Sequence, residues 1–263
     1  MKANKLYKYL DVDGGLAMLS NSNMQFTNAT RLNDPFDCHP SLIDFSNVPE
    51  ERMKVWGKDL VMKAEYGQFE QRRNNTWLCS LSKVNNSLLM WSYYCNHRGI
   101  CIGLDMEKTR KYLSNILCST FIGALEMEIQ YNEIINRPDY FHTYEDYFRY
   151  QLSTRAKEWE HEKEVRLLLI SPIPAIIPNH SGLVSMALPY EPKDKTKAID
   201  CKEARAYRKI GGECFESVYL GVNIDEEKRN QIIEVAKKLN PDIKIYQMRV
   251  DADAFRLQPE QIY

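Results

Sequence analysis

The sequence predicts an α+β fold, a single domain over residues 1–263 with a central mixed, largely antiparallel sheet and surrounding helices. Short apolar or alternating runs, typical of strands, recur from one end of the chain to the other. Helical segments interrupt these runs irregularly, which disfavours a doubly wound parallel fold. The composition is that of a globular protein, with 44% hydrophobic and 27% charged residues in a chain long enough to bury a substantial core.

The predicted strands are short runs of β-branched, aromatic and other apolar residues bounded by turn-forming residues. They cover residues 6–10, 24–27, 77–81, 100–104, 126–131, 162–170, 183–188, 217–221, 243–248 and 255–257. The segment from Pro172 to Gly212 is the least regular and rich in proline, which indicates an insertion or a long covering loop.

The predicted helices combine helical spacing of apolar residues with capping signals. They cover residues 16–19, 49–69, 88–96, 106–119, 140–160 and 226–239. Ser87 and Asp225 stand at N-cap positions, and Pro49 begins a helix with acidic residues in its first turn. The helix at 140–160 has the most regular spacing, with bulky apolar residues every three or four positions.

Charge and cysteine content predict a cytoplasmic protein without a membrane partner. The net charge is -1, which gives no overall field for nucleic acid, and the basic candidates Arg72-Arg73 and 202–209 are more typical of solvated faces. No apolar run approaches the length of about 20 residues that spans a bilayer, and the N-terminus lacks the apolar segment of a signal peptide. Seven scattered cysteines favour a reducing compartment.

Glu162, Glu164 and Arg166 form the first candidate site. On a strand, side chains two residues apart share a face, so two carboxylates and a guanidinium would converge there. In a cleft, this set could act as a general base or charge stabiliser, with Glu164 as the catalytic carboxylate. Two structural alternatives are a solvated ion pair worth about 0–1 kcal/mol and a buried Glu164–Arg166 clamp.

The segment 77–105 supplies a second set of candidate residues at the rim of a site. Trp91, Tyr93 and Tyr94 offer aromatic surfaces, and His97 with Arg98 could hold a phosphate or carboxylate. The alternative for His97 and Arg98 is neutralisation of the carbonyl groups at a helix C-terminus.

Two N-terminal pairs complete the candidate ligand-binding residues. Asn33 and Asp34 could lie at a pocket rim, although Asn-Asp-Pro is also sufficient as a tight turn. Tyr7 and Tyr9 share one face of the first strand and could stack on a planar ring, with core packing as the alternative.

The sequence gives little support for a metal site, a nucleophilic cysteine or a glycine-rich phosphate loop. The nearby residues Cys95, His97 and Cys101 lack a second ligand pair with zinc-like spacing, so no metal site is predicted. Apolar neighbours of Cys79 and Cys95 disfavour nucleophilic thiolates. There is no glycine-rich phosphate loop and no G-x-S-x-G. The sequence identifies no cofactor and no oligomeric state.

Four ordered motifs carry a resemblance over nearly the whole chain: LYKY at 6–9, LNDPFD at 32–37, SLLMWSYYCNHRGICIGLD at 87–105 and EWEHEKEVRLL at 158–168. Together they resemble the bacterial domain-of-unknown-function family 2971. The resemblance implies a bacterial protein associated with mobile elements and phage-defence neighbourhoods.

A weaker similarity, at the level of the fold, is to the ADP-ribosyltransferase class. Those proteins place an aromatic and basic strand near the N-terminus and a catalytic glutamate on a later strand. This chain departs from them because it has no alignable H-Y-E or R-S-E triad. The similarity therefore supplies a hypothesis about the mechanism.

Two functional hypotheses follow. The first is a transferase that binds a nucleotide-like molecule, with Glu164 stabilising positive charge, Arg166, His97 and Arg98 holding anionic groups, and tyrosines stacking on rings. The second is a non-catalytic sensor or interaction module of a defence system. Burial of Glu164 and Arg166 without an adjoining cavity would favour the second hypothesis.

Overall fold

The computed structural model describes residues 4–114, 123–143, 146–171, 199–200 and 204–263. Its strands are β1 Lys5–Leu10, β2 Asn23–Asn28, β3 Thr76–Ser82, β4 Ile100–Asp105, β5 Gly123–Glu128, β6 Gln130–Asn132, β7 Thr154–Ala156, β8 Glu164–Ile170, β9 Ile199–Asp200, β10 Arg205–Lys209, β11 Phe215–Leu220, β12 Lys244–Val250 and β13 Leu257–Gln261. Its α-helices are α1 Val12–Asn21, α2 Glu50–Trp56, α3 Lys58–Asn74, α4 Leu88–Cys95, α5 Met106–Ser114, α6 Tyr147–Ser153 and α7 Glu226–Leu239.

Eleven of the described strands form one sheet, in the order β13-β12-β11-β4-β1-β3-β2-β10-β9, with β8 paired to β3 and β5 paired to β8. Only β11 and β12 pair in parallel within the described part of this sheet, and α7 connects them. The α+β fold class and the mixed, largely antiparallel sheet are thereby confirmed.

The two faces of the sheet are covered differently. One face carries the largest apolar core, where Phe26, Trp77 and Ile102 pack beneath α1, α5 and α7. On the other face, Trp91 of α4 packs with Tyr9 and Tyr219. Helices α3 and α6 contribute side chains to two further apolar clusters. The second face also carries the buried charged residues described below.

Among the described residues, the helix predicted over 140–160 is present only at Tyr147–Ser153. Asp146 caps α6, which begins at Tyr147 and ends at Ser153, and the chain then becomes extended. Thr154–Ala156 pairs in parallel with β6, and a 3-10 helix follows over Lys157–Glu162. Pairing with a distant strand outweighs helical spacing here because tertiary contacts override local propensity.

Three smaller differences separate the predicted helices and strands from the observed ones. Gly57, at φ 77°, separates α2 from α3 where one helix was predicted over 49–69. The strand predicted over 126–131 is divided between β5 and β6. The irregular segment contains a strand that was not predicted, β10, which pairs along the length of β2.

Two predictions extend beyond the described residues. The strand predicted over 183–188 lies outside them, as do the last residues of the helix predicted over 106–119. Among the helices of the described ranges, none has the length and apolar character needed to cross a membrane.

Candidate functional site

Strands β1 and β2 share one edge of β3. The other edge of β3 is paired with β8 along its full length, from Thr76 to Ser82. On the shared edge, β1 pairs only at Tyr7–Ser82, and β2 pairs only around Leu78. The two strands therefore diverge from opposite ends of β3. Between them, the ammonium group of Lys8 donates a hydrogen bond to the carbonyl oxygen of Ser80 at 2.9 Å.

The opening between β1 and β2, which we call the wedge cleft, has a volume of about 850 Å³. Helix α1, which connects the two strands, forms one wall. The cations Lys8, Arg31 and Arg205 line the cleft, together with the aromatic rings of Tyr94 and Tyr207. The volume lies within the range of about 300–1,000 Å³ that is typical of small-molecule sites.

Five buried charged residues form the closed end of the cleft, and we call them the charged cluster. Their side chains are at most 4% exposed. They are Asp37, Arg155, Glu162, Glu164 and Arg166, all of which line the wedge cleft. Three carboxylates and two guanidinium groups give the cluster a formal charge of one negative unit when all are ionised.

Arg166 lies at the centre of the charged cluster. Its two terminal nitrogens donate to the two oxygens of Asp37 at 2.7 and 2.6 Å, and its Nε donates to Glu164 at 2.9 Å. A further bond joins it to the carbonyl oxygen of Leu152 at 2.9 Å. Paired bonds of this kind fix both the position and the plane of a carboxylate.

Arg155 is the second cation of the charged cluster and contacts all three carboxylates. Its Nη1 donates to Glu162 at 2.5 Å and to Glu164 at 2.7 Å, and its Nε lies 3.4 Å from an oxygen of Asp37. Its guanidinium carbon lies 4.6 Å from the ring centroid of Trp159, a cation–π contact. Arg155 therefore links the cluster to an aromatic residue outside it.

The guanidinium groups of the charged cluster keep the side chain of Glu164 ionised. Burial raises the pKa of a carboxyl group, but the guanidinium groups of Arg166 and Arg155 outweigh burial and lower the pKa of Glu164 to about 2. Glu164 is consequently a carboxylate at neutral pH. Both of its oxygens accept hydrogen bonds from arginines, so its charge is held in one place.

Two tyrosines contact the residues of the charged cluster, one at a carboxylate and one at the backbone. The hydroxyl of Tyr94 donates to Glu162 at 2.7 Å, and the hydroxyl of Tyr131 accepts from the backbone N–H of Glu164 at 2.8 Å. Burial, and then the adjacent Glu162 carboxylate, raise the pKa of Tyr94, which stays a hydrogen-bond donor.

The structure brings Glu162, Glu164 and Arg166 together, but not entirely by the predicted route. Glu164 and Arg166 share a face of β8 opposite Ser82 and Ser80, as their spacing predicts. Glu162 instead ends a 3-10 helix, and Lys163, at φ 44°, turns the chain into β8. The turn, rather than strand alternation, directs the Glu162 carboxylate to Arg155.

Asn33 and Asp34 occupy different environments. Asn33 is exposed and lines the wedge cleft. Asp34 is buried, and its carboxylate accepts a hydrogen bond from the backbone N–H of Phe36 at 2.9 Å, which is the contact that the turn requires. The last residue of the same motif, Asp37, is the one that enters the charged cluster.

Tyr7, Tyr9 and Trp91 take part in packing. Tyr7 contacts Tyr219 edge-on, and Tyr9 contacts the fully buried Trp91 in the same manner. The hydroxyl of Tyr9 donates to the carbonyl oxygen of Val84 at 3.0 Å. These contacts already occupy the rings that the sequence suggests for ligand stacking.

The predicted rim residues separate into two groups. Tyr93, with 66% of its surface exposed, contacts His161 beside the charged cluster. His97 lies in another groove, near Phe255, and Arg98 is exposed and outside the wedge-cleft lining. The fold therefore does not bring His97 and Arg98 to Glu164.

Two members of the charged cluster, Asp37 and Arg155, are not among the site residues that the sequence predicts. Asp37 ends the LNDPFD motif, so its signal is a third acidic or amide side chain in an already conspicuous turn. Arg155 lies within the helix predicted over 140–160, whereas its contacts depend on strand β7, which the sequence does not predict. In the described part of the chain, no group of three or more His, Cys, Asp or Glu residues could hold a metal ion.

Comparisons of the chain with protein-family models, with curated proteins and with solved structures find no match.

Proposed function

We propose that this chain binds a nucleotide-like small molecule in the wedge cleft. The observation that carries the proposal is the position of the charged cluster, which borders an open cleft of about 850 Å³. A purely structural clamp needs no adjoining cavity, whereas convergent buried charges beside a cleft are typical of ligand sites.

The cleft lining supports a ligand with both anionic and hydroxyl groups. Lys8, Arg31 and Arg205 are cations suited to phosphate oxygens. Carboxylates and amides in the same lining, including Asn33, can accept or donate hydrogen bonds to sugar hydroxyls. A nucleotide combines these groups in one molecule.

Group transfer from the bound molecule is the catalytic form of this proposal, similar in kind to ADP-ribosyl transfer. Glu164 is a fixed negative charge at neutral pH and would stabilise positive charge that develops on the ligand. The resemblance to domain-of-unknown-function family 2971 supports a role in a bacterial defence system.

A non-catalytic sensor is the second candidate function. One observation favours it: both oxygens of Glu164 already accept hydrogen bonds from arginines, and its side chain is only 2% exposed. In a sensor, ligand binding would be read through the loops that meet at the charged cluster.

A thermal-shift measurement on the purified chain with AMP, ADP, ATP and NAD⁺ tests the binding proposal. At about one hundred times the Kd, a ligand raises the free energy of unfolding by about 2.7 kcal/mol. For a chain of this size the increase corresponds to a rise in Tm of roughly 5–10 °C. An unchanged Tm with all four molecules would overturn the proposal.

Glu164→Gln separates the two candidate functions because it removes the charge and preserves the side-chain shape. For a transferase, the wild-type chain breaks the bond between ribose and nicotinamide in NAD⁺, so that nicotinamide leaves and water takes the ADP-ribosyl group. This release of nicotinamide stops in Glu164→Gln while binding persists. For a sensor, the wild-type chain binds the nucleotide and returns it intact. Chromatography of the nucleotide after incubation with each protein distinguishes the two results.

A further inference from the structure

A second pocket, of about 410 Å³, lies beside the wedge cleft. Its lining is largely aromatic, and we call it the aromatic pocket. The residues that line it are Asn33, Tyr93, Tyr94, Glu158, Trp159 and His161. Four of these six side chains carry planar rings, which is the lining suited to a planar group of a ligand.

The rings of the aromatic pocket are held in defined positions. The centroid of His161 lies 5.9 Å from that of Tyr93 and 6.2 Å from that of Trp159. The His161 Nδ1 atom lies 2.8 Å from the carbonyl oxygen of Glu158, which orients the imidazole. Trp159 is half-buried and contacts the guanidinium group of Arg155.

The aromatic pocket adjoins the wedge cleft. Asn33 and Tyr94 line both, and Arg155 lies in the cleft lining while its guanidinium covers Trp159. One ligand can therefore place a charged part among the cations of the cleft and a neutral ring in the pocket.

We propose that the aromatic pocket binds the planar heteroaromatic ring of the ligand whose anionic part lies in the wedge cleft. This inference rests on the proposed function and names the ligand class, a ring joined to a phosphorylated sugar. Of the three tyrosines that the sequence predicts for stacking, Tyr7 and Tyr9 are engaged in packing, whereas Tyr93 lines the aromatic pocket together with Trp159.

Calorimetric titrations with AMP and with ribose 5-phosphate isolate the contribution of the ring. Stacking of a base on an aromatic side chain corresponds to roughly a 5- to 150-fold gain in affinity. We expect AMP to bind the wild-type chain at least about fivefold more tightly than ribose 5-phosphate. Trp159→Ala should remove this preference and leave the affinity for ribose 5-phosphate unchanged.

Three further variants separate stacking from loss of structure. Trp159→Phe keeps an aromatic face and should keep most of the preference for AMP. Tyr93→Ala changes an exposed side chain of the pocket and should lower the affinity for AMP alone. Trp56→Ala is the matched control, because Trp56 is 64% exposed and lies on α2, outside the pocket.

Two results would overturn the inference while leaving the proposed function intact. One is equal affinity of the wild-type chain for AMP and ribose 5-phosphate. The other is an equal loss of affinity for both molecules in Trp159→Ala, which would mean that Trp159 serves only to position Arg155. Absence of binding by both molecules would overturn the inference, and the proposed function would fall with it only if ADP, ATP and NAD⁺ also leave the Tm unchanged.

Discussion

Asp37 and Arg166, 129 positions apart in the sequence, are joined by two parallel hydrogen bonds of 2.7 and 2.6 Å. Both side chains are at most 3% exposed. The pair connects the loop after β2 to the centre of β8, and so connects the LNDPFD motif to the EWEHEKEVRLL motif. Two motifs that are separate in the sequence thus form one structural unit.

The first prediction concerns the stability that this pair provides. Asp37→Asn removes one charge with little change of volume and leaves Arg166 with an incomplete set of acceptors. Arg166 keeps its bonds to Glu164, and the cluster becomes formally neutral. The cost is therefore that of a lost hydrogen bond to a charged group, about 1.5–3 kcal/mol, and urea denaturation should show a loss of that order.

Glu260→Gln is the matched control for Asp37→Asn. Its partner, Arg249, is 62% exposed, and exposed pairs contribute about 0–1 kcal/mol. Similar losses in the two variants would contradict the account of Asp37 and Arg166 as a buried pair that organises the site.

The second prediction concerns pH. The arginines hold the pKa of Glu164 at about 2 in the folded chain, below the ordinary value of 4.5 for a glutamate. A carboxyl group with a lowered pKa stabilises the fold above its unfolded pKa, and this contribution disappears as the pH falls towards the folded pKa. Glu164 should therefore contribute on the order of 3 kcal/mol that is lost between about pH 5 and pH 2.

Comparison of the wild-type chain with Glu164→Gln isolates this contribution from those of the other acidic residues. The free energy of unfolding should fall less steeply with decreasing pH in the variant, as measured by urea denaturation at several pH values. Parallel curves for the two proteins would show that Glu164 has an ordinary pKa in the folded state.

The third prediction concerns Tyr94, which donates a hydrogen bond to the buried Glu162. Tyr94→Phe leaves the ring in place and removes the hydroxyl. A hydrogen bond to a charged group contributes about 1.5–3 kcal/mol, so the free energy of unfolding should decrease by that order. Its neighbour Tyr93 is 66% exposed, and Tyr93→Phe should have little effect. Equal stability of Tyr94→Phe and Tyr93→Phe would contradict a stabilising hydrogen bond from Tyr94 to Glu162.

Sequence patterns predicted those parts of the fold and site that depend on nearby residues. The alternation in β8 placed Glu164 and Arg166 on one face, and the cap at Asp225 located α7. Both inferences need only the geometry of one element.

The missed residues depend on contacts between distant segments. Arg155 enters the charged cluster because Thr154–Ala156 pairs with β6, a pairing that no pattern within 140–160 indicates. The wedge cleft exists because β1 and β2 pair at opposite ends of one edge of β3. Strand order of this kind follows from the packing of the whole chain, which local periodicity does not contain.

The most direct test of the central claim, ligand binding in the wedge cleft, is calorimetric titration of ADP into a chain whose cleft has been filled. Ala17 is exposed on α1 and lines the cleft, whereas Ser20 is exposed on the same helix and lies outside the lining. Ala17→Trp should abolish the heat of ADP binding, and Ser20→Trp should bind as the wild-type chain does. Unchanged ADP binding by Ala17→Trp would contradict the claim.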